Sequence, residues 1–241
     1  MPLKLPNSKL RALRFNTDES DLFFGSDFHF GHNKDFIYKD RGFESIVEHD
    51  LKITQGIMDK IQSYQGNGKD KNLIILGDMF LNIGDDIALD IFEQLIQAVP
   101  EFVNIYYVFG NHESNICRWF ESYTDGKVPV ILQIPNRNIE FVLLGEQAKI
   151  LVDKRPFYLS HLPLMDTPRF FKGGEERALV GHCHGKNSRL YFTDKSCPSY
   201  DIGVEVALKE VNAPIFHYDE IIERLKKERL DNGRALDGKV I

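Results

Sequence analysis

Asp27, His29 and His32 fall inside one heptapeptide, SDFHFGH (26–32), directly after the apolar residues Leu22, Phe23 and Phe24. A carboxylate beside a buried run is costly unless it is paired or holds a cation. A surface turn would leave these side chains in water at no cost, so one stretch cannot decide. The pattern recurs, however. NLIILGD ends in Asp78, YYVFGNHE in Asn111, His112 and Glu113, FYLSH in His161, and ALVGHCH in His182 and His184. Of eight histidines, only His49 and His217 lie away from these motifs. For any single histidine a hydrogen-bonded structural role is the simpler reading. Five in successive motifs point to metal, because imidazole is the commonest metal ligand.

The spacing has a geometric sense. Side chains at i and i+2 share one side of an extended chain, so Asp27 with His29, and His182 with His184, could reach one centre or a close pair. Gly77, Gly110 and Gly181 precede the donors and would let the backbone turn sharply. Charge arithmetic favours two divalent ions. Their four positive charges exceed the two negative charges of Asp27 and Asp78, and the remainder suits a hydroxide and an anionic phosphoryl group. The mixed nitrogen and oxygen set fits manganese first, with iron, zinc and nickel as alternatives, better than calcium.

The elements that must position these residues alternate in the first half. LFFGS, NLIIL and FVNIYYVF read as buried strands. Val47, Leu51, Thr54, Met58 and Ile61 mark one face of a helix over 44–64, and Ile87, Ile91, Leu95 and Val99 mark another ending near Pro100. Strands separated by helices imply parallel pairing. In open α/β sheets, ligands sit beyond the carboxyl ends of the strands. The second half (VPVILQIP, IEFVLL, KILV, PFYLS, RALV, RLYFTD) reads as short antiparallel strands, and a helix carrying Ile221, Ile222, Leu225 and Leu230 stops near DNG at 231–233. The expected fold is α/β, two mixed sheets face to face with helices outside. Residues 1–241 form one domain, with an irregular leader over 1–20 and a tail over 234–241.

Taken in order, D-x-H, G-D, G-N-H-E, H and G-H-x-H resemble the calcineurin-like metallophosphoesterase superfamily over about residues 22–220. SDFHFGH, LSHLPL, GHCHG and YDIGVE look like a small bacterial and phage-type branch. The resemblance implies a four-layer αββα sandwich. It implies Asp27, His29 and His184 on one metal, Asn111, His161 and His182 on a second, and Asp78 bridging both. It further implies attack on phosphorus by a bridging hydroxide, with His112 protonating the leaving oxygen or stabilising the transition state. GDMFLNIG lacks the second Asp and the Arg of the protein-phosphatase branch, which leaves the carboxylate partner of His112 unassigned. His32, Asn33 and Arg137 are candidate substrate contacts, with bracing of the loop an equal reading for His32. Glu113 is a candidate for orienting a ligand.

Composition bounds the rest. A net charge of −6 gives no support for a generic nucleic-acid or membrane surface. Three scattered cysteines (Cys117, Cys183, Cys197) suit a reducing compartment rather than a disulfide framework. The start lacks a signal-peptide core and no run would span a bilayer, so a cytoplasmic location is expected. The expected function is metal-dependent hydrolysis of a phosphodiester of nucleotide or nucleic-acid type. Phosphomonoester hydrolysis of a small metabolite and a non-catalytic scaffold are the alternatives. Oligomeric state is not legible.

Overall fold

The apolar runs form strands of two sheets. In the computed structural model, residues 13–80, 103–112, 130–133, 140–163, 177–185 and 199–231 are described. The strands are β1 (Leu13–Phe15), β2 (Ser20–Gly25), β3 (Asp70–Leu76), β4 (Val103–Val108), β5 (Val130–Gln133), β6 (Glu140–Gly145), β7 (Gln147–Val152), β8 (Arg155–Ser160), β9 (Arg177–Val180), β10 (Ser199–Asp201) and β11 (Phe216–His217). The helices are α1 (Asp35–Tyr38), α2 (Ile46–Gln62), α3 (Val204–Val211) and α4 (Tyr218–Asp231). A six-stranded sheet has the order β11-β2-β3-β4-β6-β5 and a five-stranded sheet the order β1-β7-β8-β9-β10. Both are mixed, as expected for the α/β two-sheet class.

Alternation within the central strands builds two cores. Phe23, Leu73, Ile75, Ile105, Tyr107 and Leu143 point to one face, where Ile53, Ile57 and Ile61 of α2 cover them. Their neighbours Leu22, Phe24, Ile74, Leu76, Tyr106 and Val108 point to the other face. There they meet Ile150, Val152, Phe157, Leu159 and Leu179 of the second sheet. A strand buried on both faces reads as a continuous apolar run, which is why these runs were legible. Ile221 and Leu225 of α4 join the core between the sheets. Among the described residues, no helix is long and apolar enough to cross a membrane.

Three expectations are corrected. Residues 13–15 of the supposed irregular leader form a strand, β1, paired in parallel with β7. Leu13 and Phe15 pack against the inter-sheet core, and Phe15 meets Tyr106 edge-on at 5.3 Å. The second-half strands are not all antiparallel. β7–β8 and β5–β6 are, but β8–β9 and β9–β10 are parallel, a pairing that a short hairpin cannot make. Finally, α2 buries a different face. Val47 and Leu51 are 73% and 65% exposed, and the buried stripe is His49, Ile53, Ile57 and Ile61. His49, which lies outside the predicted apolar face, is buried with Arg41 against it at 2.7 Å.

The helix over 87–99, the RLYFTD strand, residues 1–12 and the tail lie outside the described residues. So do Arg137 and Glu113.

The corrected face of α2 is testable. Ile57→Ala should cost about 2–5 kcal/mol of stability, whereas Val47→Ala should stay within about 0.5 kcal/mol. Urea unfolding of both variants measures the difference, and equal costs would contradict the assignment.

Candidate metal centre

Because β2, β3 and β4 run parallel, their carboxyl ends lie side by side and deliver Asp27, Asp78, Asn111 and His112 to one edge. β8 and β9 do the same for His161, His182 and His184 in the other sheet. The two edges are stitched together by backbone. Val204 N–H, just after β10, donates to Ser26 C=O at 3.1 Å, and His182 N–H, after β9, donates to Asp27 Oδ2 at 3.0 Å. Within the six-stranded sheet, Asp27 N–H donates to Gly77 C=O at 3.1 Å and His29 N–H to Asp78 C=O at 3.0 Å. All eight predicted ligands and acid candidates therefore gather at one end of the two sheets.

They form two groups. The ligand atoms of Asp27, His29 and His184 lie within 4.8 Å of one another, as do those of Asp78, His161 and His182. In the first group, His29 Nε2 and His184 Nε2 are 3.3 Å apart, with their rings stacked at 10°. Asp27 Oδ1 lies 4.0 Å from the former and 3.9 Å from the latter. In the second group, His161 Nε2 is 3.2 Å from Asp78 Oδ2 and 2.9 Å from Asn111 Oδ1. The His182 backbone N–H, donating to Asp27 Oδ2 at 3.0 Å, links the groups, and the His112 ring lies 6.2 Å from that of His29. The first group is largely buried, whereas Asn111 and His182 are exposed and open the second to solvent.

The backbone achieves this differently from expectation. Asp27, His29, Asp78, His182 and His184 have φ of 59°, 52°, 49°, 70° and 49°. These residues are not extended, so the i, i+2 argument does not apply. His182 and His184 indeed part company, one to each group. Such left-handed non-glycine residues are uncommon and cluster at functional sites. The glycine reading is also corrected. Gly77, at φ 74°, makes a turn. Gly110 and Gly181 instead permit close approach, because a Cβ on them would strike Asp78 and Ser26.

The charges explain which protons are held. Burial raises the Asp27 carboxyl, an effect only partly offset by His161 and His184. Burial and the Arg41 charge drive His29 well below the usual imidazole range. Burial also pushes His161 down, but its hydrogen bond to Asp78 and the charges of Asp27 and Asp78 outweigh this and raise it to about 9. Both His161 ring nitrogens face acceptors, Nδ1 meeting the Leu76 carbonyl at 2.8 Å. Asp78 is lowered, since its bond to His161 overcomes burial. The Nε2 proton of His161 thus faces two oxygens, Asp78 Oδ2 and Asn111 Oδ1, which would attract a cation in its place. Nitrogen and oxygen donors of this kind suit a divalent transition ion. The residues fit such an ion in both groups.

Sequence reasoning missed several supports. Glu205 Oε1 accepts from His184 Nδ1 at 2.9 Å, and Arg41 binds that oxygen too. Asp201 accepts from Gly203 N–H at 2.8 Å and Gly185 N–H at 3.2 Å, and burial raises its carboxyl to about 6. YDIGVE follows the pattern of a strand end with acidic residues and could have flagged Asp201 and Glu205. Nothing local marks Arg41. Of the substrate candidates, His32 is buried between His29 and Phe36, at ring distances of 5.9 and 5.5 Å, which favours bracing. Asn33 is exposed nearby. Cys183 is a free thiol, pushed up to about 11 by burial, and so is not a reactive thiolate.

Compared with known proteins, the chain matches no family model and no curated protein.

Because a ligand nitrogen must be free of its proton, cation uptake competes with the proton on His161 Nε2. As pH falls below about 9, the affinity of the second group should drop by about tenfold per unit. Above that pH it should level off. Calorimetric titration with Mn²⁺ across this range measures it, and pH-independent uptake would contradict the assignment.

Proposed function

We propose that the protein is a metal-dependent phosphoester hydrolase acting on a phosphodiester of nucleotide or nucleic-acid type. The observation that carries this reading is the pair of adjacent Asp/His donor groups, one buried and one open to solvent. Asp27, His29 and His184 would hold one divalent ion, and His161, His182 and Asn111 the other. Asp78 would lie between them. Such ions supply Lewis acidity and lower the pKa of water.

The protein's own residues do the rest. His112 stands at the rim, its side chain 34% exposed and its Nε2 3.8 Å from Asp78 Oδ2. Its backbone N–H also donates to Asp78 Oδ1 at 3.1 Å, so one carboxylate sets the position of this residue. Asp78 is the carboxylate beside His112, held by the backbone bond rather than by a hydrogen bond to the ring. From the rim, His112 donates a proton to the departing oxygen. Buried His29 and Asp27 keep water from the deep side, while exposed Asn111 and His182 leave an open approach. An ester substituted on both sides of phosphorus needs an open approach more than a monoester does, and on that ground the diester comes first.

Metal-free protein should gain turnover on adding Mn²⁺, faster with bis(p-nitrophenyl) phosphate or a cyclic nucleotide than with p-nitrophenyl phosphate. His112→Ala should lose about 10²–10⁴-fold in kcat yet retain both ions. Asp78→Asn should lose activity and metal together. Faster monoester turnover would reassign the substrate. No turnover, with Asp78→Asn unchanged in metal content, would overturn the proposal.

A further inference from the structure

We propose that Arg41 and Glu205 are positioning residues that set the orientation of His184, and hence the geometry of the first donor group alone. This rests on the reading that the group binds a divalent cation. Arg41 has a fully buried side chain and lies in the connection between α1 and α2, while Glu205 opens α3. One oxygen, Glu205 Oε1, accepts from His184 Nδ1 at 2.9 Å, from Arg41 Nε at 2.8 Å and from Arg41 Nη2 at 2.7 Å. With Nδ1 engaged, His184 turns Nε2 toward His29 and Asp27. A carboxylate behind a ligand imidazole fixes its tautomer and raises its basicity.

The same guanidinium holds the opposite side of the group. Arg41 Nη2 donates to Asp27 C=O at 2.6 Å and Nη1 to Phe28 C=O at 2.9 Å, where the backbone is left-handed at Asp27. His49 Nε2 lies 2.7 Å from Arg41 Nη1, while its Nδ1 donates to Asp50 Oδ1 at 2.7 Å. Asp50 Oδ2 in turn accepts Gly31 N–H at 2.9 Å. The first turn of α2 is thereby locked to the loop bearing Asp27 and His29. Lysine could not replace Arg41, since one point charge cannot reach four acceptors in a plane. In the second group the Leu76 carbonyl holds His161 and the His112 N–H holds Asp78, and the link between the groups, His182 N–H to Asp27 Oδ2 at 3.0 Å, does not pass through Glu205. Damage at Glu205 should therefore be confined to one metal position.

The test titrates metal-free wild type, Glu205→Ala and Glu205→Gln with Mn²⁺. Calorimetry reads the affinities, and electron paramagnetic resonance reads whether two neighbouring ions are spin-coupled. Wild type should take two Mn²⁺ and give a coupled signal when full. In Glu205→Ala, one affinity should fall by about 10–100-fold and the other should change by less than about twofold. At one equivalent the variant should give the signal of an isolated ion. Glu205→Gln, which keeps an acceptor but not the charge, should lie between. Thermal unfolding checks that each variant is folded; if Glu205→Ala is not, the Gln variant decides. A folded Gln variant with both affinities unchanged would overturn the inference, as would equal weakening at both positions. Wild type that takes up no Mn²⁺ would instead overturn the metal-centre reading itself.

Discussion

Two carboxylates, Asp27 and Asp78, are almost wholly out of water where the two sheets meet. Leaving either ionised and unpaired there would cost several kcal/mol, on the order of a protein's whole stability margin. Much of the surrounding structure answers that constraint. Imidazoles supply positive charge or metal affinity. Backbone N–H groups of His112 and His182 point at the carboxylate oxygens. Gly110 and Gly181 lack the side chains that would fill the space the carboxylates and Ser26 need. Five left-handed donor residues aim their side chains inward at a backbone cost that only surrounding structure can sustain.

The two groups meet the constraint differently. Around Asp78, the proton of His161 neutralises the charge, and the group faces solvent through Asn111 and His182. Around Asp27, burial shifts the balance toward the neutral acid despite the charges of His161 and His184, while Arg41 is engaged with Glu205 and the Asp27 carbonyl. An enclosed donor group thus stands beside an open one, and the proposed hydrolysis rests on that pairing.

Much of the site was legible because each donor follows an apolar run that had to be a buried strand. Parallel order brings the ends of β2, β3 and β4 together as the alternation with helices implies, but the parallel pairing of β8 with β9, which sets His161 beside His182, runs against the antiparallel reading of the second half. The helix face of α2 was misread for the opposite reason. His49 looks polar in sequence, and its burial depends on Arg41, eight residues away across a turn. Glu205 likewise acquires meaning only when α3 begins against His184, 21 residues further along the chain. The grouping of His182 with Asp78 and of His184 with Asp27 was carried by resemblance, since the spacing argument assumed an extended chain.

By itself, the sequence determined the buried strands and the donor residues at their ends. Periodicity and residue chemistry are local and survive in one dimension. Only the tertiary structure decided which donors share a position, which face of α2 is inside, and that Arg41 and Glu205 stand behind the first group. Those depend on backbone handedness and on pairings between distant segments, which become definite only when burial makes each unsatisfied charge find a partner.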